Sequence, residues 1–378
     1  MTGSLQTKNG KYFAVINAKD EFGKRKPTWI SMDLSTTGNN KRKAEKALRD
    51  ILKNYEDKKV YATNVKYFYV YITEWLESMK TQVEENTWYS YEYAMRNHAI
   101  PYFTKTKVML QDIEPNDIQK YYALKLKEGL SPNTIKRHHC NIRKALQDAM
   151  LLNIIPYNPA DRVKLPKVNK YVASFYNAEQ VGKLLDVVKG TNIEAPVLLC
   201  AYYGLRRSEV LGLKWESVDF TNSAIAINNT VVYNKHIIEK KRTKTQSSNR
   251  MLPIMEAVES YLKRLKRHQK EMKLLQGTSY TNNDFVCKWD DGRPLNPNYL
   301  SKAFNNLLMK NDLPVIRFHD LRHSCASILS ATGCDIKKIS EWLGHSDIST
   351  TANLYTHLEF KSKIEIGNSI ENELKQVQ

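Results

Sequence analysis

The sequence predicts a mainly α-helical protein with small β-sheets, an α+β chain of three domains. Three observations predict this. Residues 1–60 alternate apolar and polar side chains around an Asn-Gly pair (Asn9–Gly10) and a basic turn (Gly23–Pro27), the pattern of short antiparallel strands. Most of the remaining chain carries apolar residues at helical spacing, punctuated by prolines and glycines. A segment rich in Pro and Lys, Pro156–Lys170, reads as a linker between two such regions. At 378 residues the chain is long enough for two or three domains with cores of their own.

The first domain, residues 1–60, reads as three strands over SLQTKNGKYFAVINAKDEFGKRKPTWISMDL and one helix over NNKRKAEKALRDILKNYEDKK, with Ala44, Ala47, Leu48, Ile51 and Leu52 on its apolar face. It holds 14 Lys and Arg against 7 Asp and Glu. Strands can enter a DNA major groove, which makes Lys24, Arg25 and Lys26 of the basic turn candidate contacts; a solvated basic sheet face is the plainer alternative.

Residues 61–65 read as a link to a second, helical domain at 66–160, with breaks at Pro101, Pro115, Gly129 and Pro132. Ser131 and Asn133 offer caps, and Pro132 suits a first helical position. The helix that follows is basic and polar on one side through Lys136, Arg137, His138, Arg143 and Lys144, a face that can follow phosphates or simply be solvated. His138, His139 and Cys140 are consecutive, so their side chains diverge by about 100° and make a poor metal site.

The third domain, residues 171–360, reads as helices over NAEQVGKLLDVVKG, EAPVLLCAYYGLRRSEVLGL and AVESYLKRLKRHQKEMKLLQ, with SVDFTNSAIAINNTVVYNKHIIEKKRTKTQSSNRMLPI as a small three-stranded sheet. A helix pair follows, DLRHSCASILSAT and DIKKISEWL, punctuated by Gly333 and Gly344. SDISTTANLYTHL begins another short helix. Residues 361–378 read as an amphipathic tail helix with Ile364, Ile366, Ile370 and Leu374 in its stripe, suited to packing on its own domain or on a neighbouring subunit.

The formal net charge of +18 points to a partner carrying many phosphates. No apolar run approaches the roughly 18 to 20 residues of a membrane span, and no signal-peptide core or lipidation motif is present. Five scattered cysteines without a Cys-x-x-Cys pair point to reduced thiols, mostly in cores, and a cytoplasmic location.

Six residues suit one chemistry. Arg206 follows Gly204–Leu205 near a helix end or tight turn, and its planar fork matches two phosphate oxygens. Glu209, three residues on, can orient it. Lys244 lies between strand-like segments, and an amine of pKa about 10.4 is a competent acid for an alkoxide leaving group; Lys240, Lys241 and Arg242 are rivals on pattern alone. His319 and Arg322 share a helical face. His345 follows a helix-ending glycine, and Tyr355 lies ten residues beyond it. The chain has 22 tyrosines, and a phenol is a weak nucleophile unless cations or a base assist it. His319 and His323 mimic the spacing of a zinc-protease helix, but Asp320 stands where that motif needs Glu, and Arg322 would repel the metal.

The boxes GLRRSE, TKTQSSNR, FHDLRHSCAS, LGHSDISTT and YTHL, in this order, resemble the catalytic set of the tyrosine recombinase family over about residues 66–360. The N-terminal sheet and helix resemble the arm-binding domain of phage and conjugative-transposon integrases. The whole chain is most similar to conjugative-transposon integrases of Gram-positive bacteria. The resemblance implies a SAM-like core-binding domain at 66–160 and a catalytic domain at 171–360. It implies Tyr355 as nucleophile, Lys244 as general acid, Arg206, His319, Arg322 and His345 as phosphate-binding groups, and Glu209 in support. A 3′-phosphotyrosine would form and be resolved by a 5′ hydroxyl, with no cofactor required. It further implies four protomers on two DNA sites, a Holliday junction, arm sites bound by the first domain, and an accessory protein of excisionase type. A type IB topoisomerase and a non-catalytic DNA-binding regulator are the competing readings.

Overall fold

The computed structural model describes residues 2–19, 25–38, 40–60, 66–168, 174–234, 236–240 and 249–344. It divides into two units, Met1–Lys170 and Tyr171–Gln378. As expected, the chain is mainly helical with small antiparallel sheets.

The first unit opens with strands β1 (Thr2–Lys8), β2 (Lys11–Lys19) and β3 (Arg25–Ser35), antiparallel in that order. Asn9 and Gly10 both take positive φ, 50° and 72°, which a two-residue hairpin matching the strand twist requires. Helix α1 (Lys41–Val60) lies on this sheet with Ala44 buried. Gly3 packs closely under Leu52 of that helix: a Cβ there would come within 2.6 Å of Leu52 Cδ2, so that side chain would have to shift.

Helices α2 (Phe68–Met79), α3 (Glu85–Ala94), α4 (Ile100–Thr106), α5 (Pro115–Lys127) and α6 (Pro132–Leu151) follow around an aromatic core that includes Phe68, Phe103 and Tyr121. Ser131 caps α6 by accepting from the Thr134 N–H at 3.2 Å, and Pro132 takes the first position, as expected. Pro101 does not break the chain's helical path. A π-helical turn, Met95–Ala99, joins α3 to α4, and Ile100 N–H bonds to the Met95 carbonyl, five residues back. The wider turn lets the helix continue past a residue that has no N–H to give.

Part of the expected linker is docked rather than free. Asn158 and Ala160 are buried, Asn158 Nδ2 donates to the Arg143 carbonyl at 3.0 Å, and Gln119 exchanges two hydrogen bonds with the Lys164 backbone. Small and amide side chains made this possible in a stretch whose prolines and lysines suggested a spacer. The expected link at 61–65 lies outside the described residues.

The second unit begins with α7 (Ala178–Val187), α8 (Glu194–Tyr203) and α9 (Arg207–Gly212). Five strands follow: β4 (Val218–Asp219), β5 (Ala224–Ile227), β6 (Thr230–Asn234), β7 (His236–Lys240) and β8 (Arg250–Pro253). They make two sheets, β4-β5-β8 and a separate β6-β7 hairpin, where the sequence suggested one sheet of three. The chain leaves the first sheet at Asn228–Asn229 and lays β6 against α9. Gly212 permits this, since a Cβ there would stand 2.6 Å from Thr230 Cα.

Helices α10 (Glu256–Gln276), α11 (Pro297–Lys310), α12 (Asp320–Ala331) and α13 (Ile336–Leu343) complete the unit. Helix α11 adds to the sequence reading; it buries Leu300, Phe304 and Leu308, and the Asn296 side chain caps it through the Asn298 N–H at 2.8 Å. Of the cysteines, Cys200, Cys287 and Cys325 are buried, while Cys140 and Cys334 are exposed. Among the described residues no helix is long and apolar enough to cross a membrane.

Candidate active site

The site is built where α8, α9 and α12 meet the C-terminal end of α13. Helix α8 stops at Gly204, whose φ of 61° and contact with Leu343 and Cys325 leave no space for a Cβ. The chain then turns so that Arg206 caps α9. Its N–H donates to Glu209 Oε2 at 3.0 Å, and its Nη1 donates to Glu209 Oε1 at 2.6 Å. Arg322, one turn into α12, is only 1% exposed; Nη1 donates to the Gly204 carbonyl at 2.6 Å and Nη2 to the Leu343 carbonyl at 2.7 Å.

A third arginine joins them. Arg250, at the start of β8, donates from Nη2 to Glu209 Oε2 at 3.1 Å and from Nε to the Trp342 carbonyl at 2.8 Å. Arg206 Nη2 reaches the Gly344 carbonyl at 2.9 Å. Three consecutive carbonyls at the end of α13, those of residues 342, 343 and 344, thus each accept from a different arginine. A helix C-terminus leaves its last carbonyls without intrahelical partners and carries partial negative charge, so this is a favourable place for guanidinium groups.

Among the described residues, cations outnumber carboxylates at this cluster. Three guanidinium groups surround one carboxylate, Glu209, which is 2% exposed. Burial alone pushes the Glu209 carboxyl up, but Arg250 and then Arg206 outweigh it and hold it below the usual carboxylate range. For Arg322, burial first and then repulsion from Arg206 push the guanidinium down to about 9, which leaves it cationic at neutral pH. The surplus positive charge is suited to an anion.

His319 stands at the residue preceding α12, and His323 stands one turn on, ring edge to ring face at 5.3 Å. His319 keeps open surface, yet loss of water around its ring, then His323 and Arg322, lower its pKa and favour the neutral imidazole near pH 7. Arg206 and His319 both line an open concavity of about 990 Å³, whose other wall is the Asn298, Ser301, Lys302 and Asn305 face of α11.

The structure therefore brings Arg206, Glu209 and Arg322 into one cluster and places His319 on the same concavity as Arg206. Lys244, His345 and Tyr355 lie outside the described residues. Arg250 was not singled out in the sequence, although it ends the TKTQSSNR box. Its signal was an arginine opening an alternating strand, a position as compatible with surface charge as with burial.

Of the candidate DNA contacts, Lys136, Arg137, Arg143 and Lys144 are exposed on α6. Arg143 pairs with Asp161 at 2.6 Å and Lys144 with Asp148 at 2.8 Å. His138 does not belong to that face: it is 3% exposed, and its Nδ1 lies 2.9 Å from the Tyr121 hydroxyl. Arg25 and Lys26 open β3, and Lys24 lies outside the described residues. Among the described residues no group of three or more His, Cys, Asp or Glu is placed to hold a metal.

Fold and site together define a mainly helical chain with a cluster of arginines gathered around Glu209 and the end of α13. The chain belongs to the phage integrase family and is a tyrosine recombinase, an enzyme of site-specific DNA recombination: the family's sequence model matches residues 174–362, and the N-terminal SAM-like domain of phage integrases matches residues 67–126. A XerC-like tyrosine recombinase of Caldanaerobacter subterraneus is 30% identical over 66% of this chain and 69% of its own. The ICEBs1 integrase of Bacillus subtilis is 24% identical over 80% of this chain and 82% of its own. Among solved structures, the Tn1549 transposon integrase in complex with transposon right end DNA aligns with a TM-score of 0.67 at 21% identity, covering 80% of this chain and 99% of that one. These relatives do not favour the topoisomerase or regulator readings.

Proposed function

We propose that this enzyme integrates and excises a conjugative transposon, with Tyr355 as its nucleophile. The Tyr355 oxygen attacks the scissile phosphorus, the P–O5′ bond breaks, and Lys244 protonates the departing 5′ oxygen. A 5′ hydroxyl of a partner duplex then attacks the 3′-phosphotyrosine and releases Tyr355. Each step exchanges one phosphodiester for another, so no energy-rich cofactor enters. Arg206, Arg322, His319 and His345 hold the phosphate and its developing charge, and Glu209 orients Arg206. The observation that carries this reading is the cluster of three guanidinium groups at the end of α13, one residue before His345.

The reading assigns residues 1–60 to arm sites, 66–160 to the core site, 171–360 to catalysis, and 361–378 to docking on a neighbouring protomer. Lys136, Arg137, Arg143 and Lys144 of α6, and Lys24, Arg25 and Lys26 of the first domain, are its DNA contacts. A lambda integrase dimer bound to a core site and a tetramer bound to a Holliday junction share the fold, with TM-scores of 0.59 and 0.57. By analogy this enzyme works as a tetramer on two DNA sites, with an accessory excisionase-type protein, in the bacterial cytoplasm on the nucleoid.

Covalent trapping tests the proposal. A nicked duplex bearing an element end, mixed with the protein in the absence of metal, should give an adduct that resists denaturant. Tyr355→Phe should abolish the adduct and leave DNA binding intact. An adduct that survives this change would exclude Tyr355 as the nucleophile.

A further inference from the structure

We infer that Arg250 is a positioning residue of the recombination site, joining three of its segments into one rigid frame. This rests on the recombinase reading above. Its guanidinium spans two partners that belong to different parts of the site. Nη2 bonds Glu209, which also holds Arg206 through both its carboxylate oxygens. Nε bonds the Trp342 carbonyl, three residues before His345. The backbone that carries Arg250 is β8, fixed in register against β5 by the pairing Ile227↔Arg250, and it follows Lys244 by six residues in the sequence.

The packing is close enough to transmit position. The Arg250 side chain is 7% exposed. Gly344 has a φ of 69°, and a Cβ there would come within 2.7 Å of Arg250 Nη1, so the guanidinium packs directly on the Gly344 backbone. Burial lowers the Arg250 pKa and Glu209 raises it again, as expected of a cation held inside by its carboxylate. Arg250 also supplies a second charge to Glu209, which keeps that carboxylate ionised and bonded to Arg206 rather than to a proton.

A lysine could not do this. It is a point donor on a flexible stem and would reach Glu209 or the Trp342 carbonyl, not both in fixed geometry. Without Arg250, Glu209 retains Arg206 and Arg206 retains the Gly344 carbonyl, but the carboxylate loses its second guanidinium and the link that ties it to the Trp342 carbonyl. Arg206 would then meet the scissile phosphate in a broader range of orientations, and misplacement of this kind costs up to about 10²-fold in rate.

The experiment compares cleavage of two nicked duplexes by the full chain. One has an ordinary scissile phosphate. In the other a methyl group replaces a non-bridging oxygen, which makes that phosphate neutral and less dependent on aligned arginines. Arg250→Met should bind both duplexes like wild type, cleave the ordinary one about 10²-fold more slowly, and recover much of that loss on the methylphosphonate. Equal loss on both would mean a structural role only and would overturn the inference. If Arg250→Met does not fold, Arg250→Lys provides the same comparison, with a smaller loss and the same recovery expected. Full activity of Arg250→Lys would show that charge alone suffices and would also overturn it. If wild type itself makes no tyrosine adduct, the recombinase reading fails first, and the positioning role falls with it.

Discussion

Two clusters of buried polar side chains in this molecule handle charge in opposite ways. In the helical region of the first unit, His98 and His138 lie with rings 4.9 Å apart, Tyr121 and Tyr122 hydroxyls meet His138 and His139, and buried Lys125 pairs with Glu128 at 2.8 Å. Burial lowers the pKa of all three histidines, so the cluster is neutral apart from one matched pair. In the second unit, three arginines share one carboxylate and the end of a helix. Gathering buried cations is costly, and such groups collect at functional sites more often than elsewhere. The neutral cluster serves packing, and in the proposed mechanism the cationic one serves chemistry.

The sharpest way to break that contrast is to remove a cation. Arg322→Met should slow single-turnover cleavage by roughly 10²- to 10³-fold, the usual cost of losing one donor to developing charge. It should also leave the Gly204 and Leu343 carbonyls without this partner, so the thermal transition should fall as well. A variant that folds and cleaves within tenfold of wild type would place Arg322 in the structure rather than in the reaction.

The same contrast explains what could be read from the sequence. Arg206, Glu209, His319 and Arg322 were legible because their spacing is local: each pair sits within one turn of chain, and helical geometry brings it together. Arg250 was not, because its partners lie 41 and 92 residues away, and only tertiary folding makes them neighbours. His138 was misplaced on the basic face for a related reason: among lysines and arginines its burial depends on Tyr121, seventeen residues earlier. The helices of the first unit followed the apolar periodicity except at Pro101, where a π turn absorbed the missing N–H. The single three-stranded sheet became two, since alternation reports strands but not their partners.

The histidine cluster supplies a second test, through pH. The folded state holds His138 down to about 4, against an ordinary 6.5. The unfolded chain therefore takes up its proton first as pH falls. Stability from this group is complete above pH 6.5 and is lost progressively between about 6.5 and 4, with an upper limit on the order of 3 kcal/mol. Thermal melting of wild type should show a transition that drops over that window. His138→Gln should start lower at pH 7 and fall less steeply on acidification, since His98 and His139 still contribute in the same direction. Identical slopes in the two proteins would mean that His138 is not held neutral by the fold.

The smallest effect distinguishes the two tyrosines within the cluster. Tyr121 and His138 are both buried, so Tyr121→Phe removes the hydroxyl partner of the imidazole Nδ1 where water does not reach. A buried polar group stripped of its partner costs about 1–3 kcal/mol. Tyr122 makes the equivalent contact, at 3.0 Å, with His139, which is only half-buried. Solvent can replace that hydroxyl, so Tyr122→Phe should cost no more than about 1 kcal/mol, the net worth of one hydrogen bond. Urea denaturation of the two variants at pH 7 gives the comparison directly. A larger loss for Tyr122→Phe would mean that the burial of the phenol, and not the exposure of the histidine it meets, sets the cost of an unpaired group here.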